Sequence, residues 1–138
     1  MGGCEIAGGI VEVVVESYRD LVVWQEAMEL ALHVYRATET FPKQEMYGLV
    51  SQLRRCSVSI PSNIAEGHAR SSTLDYLRHV SIAVGSLAEL ETQSLLSKEL
   101  GYFESEAVEV VLNRCKVLGK RLRKMSQSLR IRADRSKH

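Results

Sequence analysis

The sequence predicts an all-α protein, an antiparallel up-down-up-down four-helix bundle, and three observations carry that expectation. Only nine Gly and two Pro stand among 138 residues, so helices can run long without interruption. Apolar residues recur at steps of three and four along four successive stretches, the period of one helix face. The segments between those stretches are short, which sets sequential helices side by side and antiparallel. A hydrophobic fraction of 45% is ordinary for a globular chain, and the length fits one domain.

Residues 1–18 stand apart. They hold four of the nine glycines and the β-branched run Val13-Val14-Val15, and they read as a disordered leader ahead of a bundle over 19–130. A basic tail, 131–138, is expected to be disordered as well. The first residues lack a basic n-region, and Glu12 interrupts the apolar stretch Ile10 to Val15, against a secretory signal. No apolar run is long enough to span a membrane. Three widely spaced cysteines, Cys4, Cys56 and Cys115, point to reduced thiols in a cytoplasm and not to a disulfide framework.

The first helix is expected from Asp20, as N-cap, to about Thr40. Trp24, Met28, Ala31 and Tyr35 form one stripe, and Val23, Ala27, Leu30 and Val34 form a second beside it. Phe41-Pro42 ends it, because a residue before proline avoids the α region. The second helix is expected over Tyr47 to Glu66, with Leu49, Leu53, Cys56, Ile60 and Ile64 as its seam and Gly67 as its stop. Pro61 falls inside it, removing one hydrogen bond and crowding the Ser57 carbonyl. Because Ile64 and Ala65 continue the period, the expectation is a kink and not a break.

The third helix is expected from Ser72 to Leu100. Its seam is Tyr76, Val80, Ala83, Leu87, Leu90, Ser94 and Ser97, flanked by Leu77, Ser81, Val84, Ala88, Glu91 and Leu95, with Gly101 as cap. The fourth is expected over Glu104 to Arg130, where Val108, Val111, Cys115, Leu118, Leu122, Met125 and Leu129 keep a heptad spacing. Two stripes on the first and third helices exceed what a monomeric bundle buries, so an oligomer is expected.

Enzymatic chemistry finds little support. Paired Glu-x-x-His motifs of di-iron bundles are missing, and Glu29 with His33 is a single surface pair. Arg132 to His138 is the only Arg–His pair at the spacing of bundle-type ribonucleases, and it lies in the tail. No Gly-rich phosphate loop, Gly-x-Ser-x-Gly or CxxC pair is present. The polar cluster Asn63, Glu66, Glu89 and Glu91 can be a paired-carboxylate site or a network fixing helix register. Without His or Cys beside it, the register network is preferred. No metal and no cofactor are expected.

Charge is distributed unevenly. Residues 114–138 carry ten basic side chains against one acid, a net +9, while residues 1–113 carry −8 and the whole chain +1. At about 100° per residue, Lys116, Lys120, Arg123 and Lys124 point away from the heptad seam. Arg114 and Arg121 flank it, and Arg130 and Arg132 continue the ridge. These eight residues are the candidate nucleic-acid contacts, through phosphates and without sequence preference, since few aromatics lie near them. The expected function is therefore a non-enzymatic oligomeric scaffold binding RNA or DNA. The competing reading is a protein–protein adaptor for an acidic partner.

Three segments carry a resemblance: Tyr18-Arg19-Asp20-Leu21-Val22-Val23-Trp24-Gln25, Ser57-Val58-Ser59-Ile60-Pro61-Ser62-Asn63-Ile64-Ala65-Glu66-Gly67, and Gly85-Ser86-Leu87-Ala88-Glu89-Leu90-Glu91-Thr92-Gln93. Over about residues 18–128 the chain resembles the bacterial four helix bundle family of 23S rRNA intervening-sequence proteins. The resemblance implies a bundle assembling into a ring-like homopentamer. It also implies a likeness to accessory proteins of diversity-generating retroelements, whose basic surface engages nucleic acid and a reverse transcriptase. His68 departs from the aromatic residue common after Glu-Gly, and Ser71-Ser72-Thr73 from the lysines common there, which lowers the charge of that corner.

Overall fold

The computed structural model describes residues 15–136. Four helices account for most of them: α1 (Val22–Thr38), α2 (Leu49–Ala69), α3 (Thr73–Glu99) and α4 (Ser105–Ser136), with no strand among the described residues. Each helix packs on two others, α1 on α2 and α4, and α3 on α2 and α4. The core is the meeting of one apolar stripe from each: Leu30 and Val34 of α1, Leu53, Ile60 and Ile64 of α2, Val80, Leu87 and Leu90 of α3, and Val108, Val111, Leu118 and Leu122 of α4. Burying one such side chain stabilises by about 1.5–3 kcal/mol. No helix is long and apolar enough to cross a membrane.

The helix ends follow local chemistry, with several departures from expectation. Asp20 is not the N-cap of α1. It closes a short 3-10 turn, Tyr18–Asp20, capped by Ser17. The Ser17 hydroxyl accepts from the Arg19 N–H at 3.1 Å, and the Asp20 carboxylate accepts from the N–H groups of Glu16 at 3.0 Å and Ser17 at 3.3 Å. The last residues of the expected leader are thus structured, and Tyr18 stacks edge-on against Trp24 at 5.2 Å. The leader up to Val14 lies outside the described residues.

α1 ends at Thr38, whose hydroxyl donates back to the Val34 carbonyl at 2.8 Å. Gly48 is the N-cap of α2, and the Glu45 carboxylate accepts from the first helical N–H, that of Leu49, at 3.2 Å. α2 is continuous through Pro61. It also runs past Gly67, the expected stop, to Ala69, because Gly67 sits buried against α3 and not at a free helix end. Ser72 caps α3 by accepting from the Asp75 N–H at 3.3 Å. At the other end Gly101 takes φ +77°, and the Gly101 and Tyr102 N–H groups bond back to Lys98 and Ser97 at 3.0 Å, the pairing of a Schellman cap. Phe103 and Tyr102 then meet Phe41 at 5.5 and 5.9 Å, so the α1–α2 and α3–α4 connections close one end of the bundle together. α4 continues helical to Ser136, through most of the expected tail, with Leu129 and Ala133 buried.

One expected stripe reaches the core only in part, through buried Ala31 and partly buried Trp24. On α1, Ala27, Leu30 and Val34 are fully buried, whereas Met28 and Tyr35 of the other stripe are 40% and 41% exposed. The flanking seam of α3 also lies at the rim, with Ser81, Ala88 and Leu95 exposed.

Candidate nucleic-acid interface

The heptad seam turns α4 so that its core stripe faces α1 and α3, and every residue off that stripe is fixed by the 100° step. Lys116, Lys120, Arg123, Lys124, Arg130 and Arg132 are all exposed. None of these six has an acidic partner within ion-pair distance among the described residues. The other two candidates are engaged with α1. Arg121 Nε lies 3.0 Å from Glu26 Oε1, although its N–H is not aligned for a hydrogen bond and Oε1 remains otherwise unbonded. Arg114 is half-buried, shares a recess with Glu26, and stands close enough to His33 to disfavour its protonation.

The basic residues therefore fall on two flanks of α4. Toward α1, Arg121 and Lys124 border a groove of about 390 Å³ with Leu21, Val22, Val23, Met125 and Ser128. Toward α3, Arg123 and Arg130 line a groove of about 320 Å³ with Ser81, Val84, Ser126 and Gln127. Sequence reasoning missed Ser81, Ser126 and Gln127, because uncharged residues leave no mark on a charge profile. Only the packing of α3 on α4 brings Ser81 beside residues more than forty positions away.

The expected polar cluster does not assemble as one site. Asn63 and Glu66 meet α3 at His79, a residue the sequence did not single out. The His79 Nδ1 is 3.0 Å from Asn63 Oδ1, and its Nε2 is 3.4 Å from the Glu66 carboxylate, which also accepts from Arg70 at 3.0 Å. Asn63 Nδ2 donates to Ser59, whose hydroxyl bonds Ser86 at 2.8 Å. Glu89 belongs elsewhere, accepting from Gln93 Nε2 at 3.2 Å while Gln93 also donates to Gln52. Glu91 points to the other side of α3, near Cys115. Residues two apart on a helix face different ways, so Glu89 and Glu91 form no carboxylate pair. Among the described residues no group of three or more His, Cys, Asp or Glu is placed to hold a metal ion.

A third surface is apolar. Between α1 and α2 an open groove of about 490 Å³ is lined by Tyr18, Trp24, Met28, Leu32, Tyr35, Val58 and Pro61. Leu32 and Val58 are 46% and 42% exposed.

The 23S rRNA-intervening sequence protein family matches residues 19–124. Among solved structures, a protein of unknown function from the S23 ribosomal protein family of Bacteroides thetaiotaomicron superposes with a TM-score of 0.71 at 22% identity, over 77% of this chain and 96% of that one. None of the curated proteins matches.

Proposed function

Because this chain belongs to the 23S rRNA-intervening sequence protein family, we propose that it is a non-enzymatic oligomeric scaffold that binds the backbone of RNA or DNA through the basic surface of α4. The observation carrying this reading is the set of six exposed cations, Lys116, Lys120, Arg123, Lys124, Arg130 and Arg132, without acidic partners among the described residues. Cations that lack a protein counter-charge keep counterions that a polyanion releases. In this reading the helices alternate up and down, antiparallel, and the bundles close into a ring-like homopentamer in a bacterial cytoplasm.

The groove of Trp24, Met28, Leu32, Tyr35 and Val58 supports assembly, since exposed apolar patches of this kind mark protein contacts. An adaptor role toward another protein, such as a reverse transcriptase, would use the same groove. Light scattering separates the two: a second copy gives a mass that is a multiple of 15.5 kDa, and Leu32→Glu returns the chain to that mass while leaving it helical. A monomer at micromolar concentration would leave the adaptor reading. Binding is tested by titrating the protein with labelled mixed-sequence DNA and RNA at several salt concentrations. The expected result is an affinity falling steeply with salt and indifferent to sequence. No binding at low salt would reject the nucleic-acid role.

A further inference from the structure

We propose that the groove between α3 and α4 is the phosphate-binding site, with the Arg123 and Arg130 guanidinium groups holding a nucleic-acid backbone and Ser81, Ser126 and Gln127 completing the contacts. The inference rests on the nucleic-acid reading above and narrows it from a whole basic helix to one face of it.

Three observations select this face. Arg123 and Arg130 are seven residues apart, so they lie within about 20° of each other on α4 and about 10 Å apart along it. They present two forks along one line, which Lys116 extends toward the helix start, while Lys120 and Lys124 lie about 60–100° further round the helix. The groove is also lined by groups that suit phosphate oxygens: two guanidinia, two hydroxyls and an amide, with Val84 as its floor and no carboxylate. On the opposite flank Arg121 is already paired with Glu26, so an anion there competes with a carboxylate.

Arg123 also lies close over Gly119 of its own helix. A β-carbon on Gly119 would stand 3.4 and 3.5 Å from the two terminal nitrogens of Arg123 and 3.3 Å from Leu87 Cδ2. The two distances to Arg123 are ordinary contacts, so its guanidinium lies back over Gly119, which itself faces Leu87 of α3.

The acids set the limits of the site. Asp134 lies one turn beyond Arg130, and Glu91 lies two turns along α3 from Val84, about 10 Å away. A backbone following the groove therefore has two favourable positions, with a carboxylate beyond each end. No aromatic residue lines the groove, so contact is with phosphates and not with stacked bases.

The test compares two variants of equal charge change on a labelled mixed-sequence DNA duplex: Arg123→Gln/Arg130→Gln, which strips the groove, and Lys120→Gln/Lys124→Gln, which strips the outer crest. Each phosphate contact on duplex DNA contributes about 0.9 to the slope of log affinity against log salt. The groove variant is expected to lose about two units of slope, and the crest variant less than about half a unit. Arg123→Lys/Arg130→Lys keeps the slope but binds more weakly, because ammonium groups cannot make the forked contact. Circular dichroism checks that each variant is folded. If the crest variant flattens the slope and the groove variant does not, the groove assignment is overturned and the nucleic-acid role stands. If Arg123→Lys/Arg130→Lys binds as the parent does, the site is a field of charge and the assignment also fails. If the parent chain itself does not bind, the proposed function fails first.

Discussion

Gly67→Ala tests how closely α2 and α3 approach. Gly67 is buried inside α2, and a β-carbon there would stand 2.8 Å from His79 Cβ, 2.9 Å from Tyr76 Cδ1 and 3.3 Å from the Tyr76 carbonyl oxygen. Tyr76 can swing its ring. His79 Cβ and the Tyr76 carbonyl are fixed to the α3 backbone, so α3 must retreat by about 1 Å to reach ordinary contact near 3.5–4 Å. Overpacking of this kind costs about 1–3 kcal/mol. Retreat also stretches the His79–Asn63 and Ser59–Ser86 bonds, now 3.0 and 2.8 Å, at about 1 kcal/mol or more. Replacing a helical glycine by alanine returns about 1 kcal/mol. The expected net is a loss of about 1–3 kcal/mol, or about 3–10 °C in Tm for a chain of this size. Urea and thermal unfolding measure it, with Gly85→Ala as reference, because nothing lies within 4 Å of a β-carbon at Gly85. A Gly67→Ala protein as stable as the Gly85→Ala protein would refute the close-approach argument.

Other outcomes follow from the same coordinates. Gly85→Ala alone is expected to stabilise the isolated chain by about 1 kcal/mol; destabilisation measured on monomer by urea titration would contradict the open surroundings of that residue. Burial holds the His33 imidazole below its ordinary 6.5, with Arg114 and Arg36 adding to it and Glu29 opposing. The unfolded chain therefore takes up this proton first as pH falls, so stability declines as pH drops through about 6.5, and His33→Gln should flatten that decline in pH-dependent urea titrations. Burial pushes the Cys56 and Cys115 thiols from 9.0 to about 12, with Glu89 acting on the first and Glu91 on the second. Both stay protonated near pH 8, so iodoacetamide is expected to modify them only as fast as the chain opens; peptide mapping that finds them labelled at the rate of a free thiol would count against this burial.

The fold was legible where one periodicity decided the outcome. The heptad seam of α4 and the 4-3 seam of α3 place Val111, Leu118, Leu122, Val80, Leu87 and Leu90 in the core as expected. Readings failed where a residue type was judged without its partner across the bundle. Gly67 looked like a stop because glycine favours helix ends, but its reason is the closeness of His79 and Tyr76 on the next helix. Met28 and Tyr35 share a stripe with buried Ala31 yet stand about 40% exposed in the single bundle; spacing fixes a face and cannot say what covers it. Glu89 and Glu91 are near in sequence, but residues two positions apart on a helix stand about 200° apart around its axis. His79 became visible as the partner of Asn63 and Glu66 only once the short α2–α3 turn set the register between these helices.

The division of the surface bears on how assembly and anion binding can coexist. The apolar groove lies between α1 and α2, while Arg123 and Arg130 line the groove between α3 and α4. Copies that met through α4 would bring together segments of like charge, since residues 114–138 carry +9, and would shield the phosphate groove. Copies that meet through the α1–α2 groove bury apolar side chains and leave the basic groove of each bundle facing water. Charge repulsion and apolar burial thus favour the same arrangement, with the cations outside the contact. Under the proposed binding, each added copy would contribute one more weak phosphate site to a single particle, and binding would strengthen by effective concentration without any new kind of contact. The proposed scaffold would then need only a modest site of two arginines per bundle, with the grooves of the copies open at the same time.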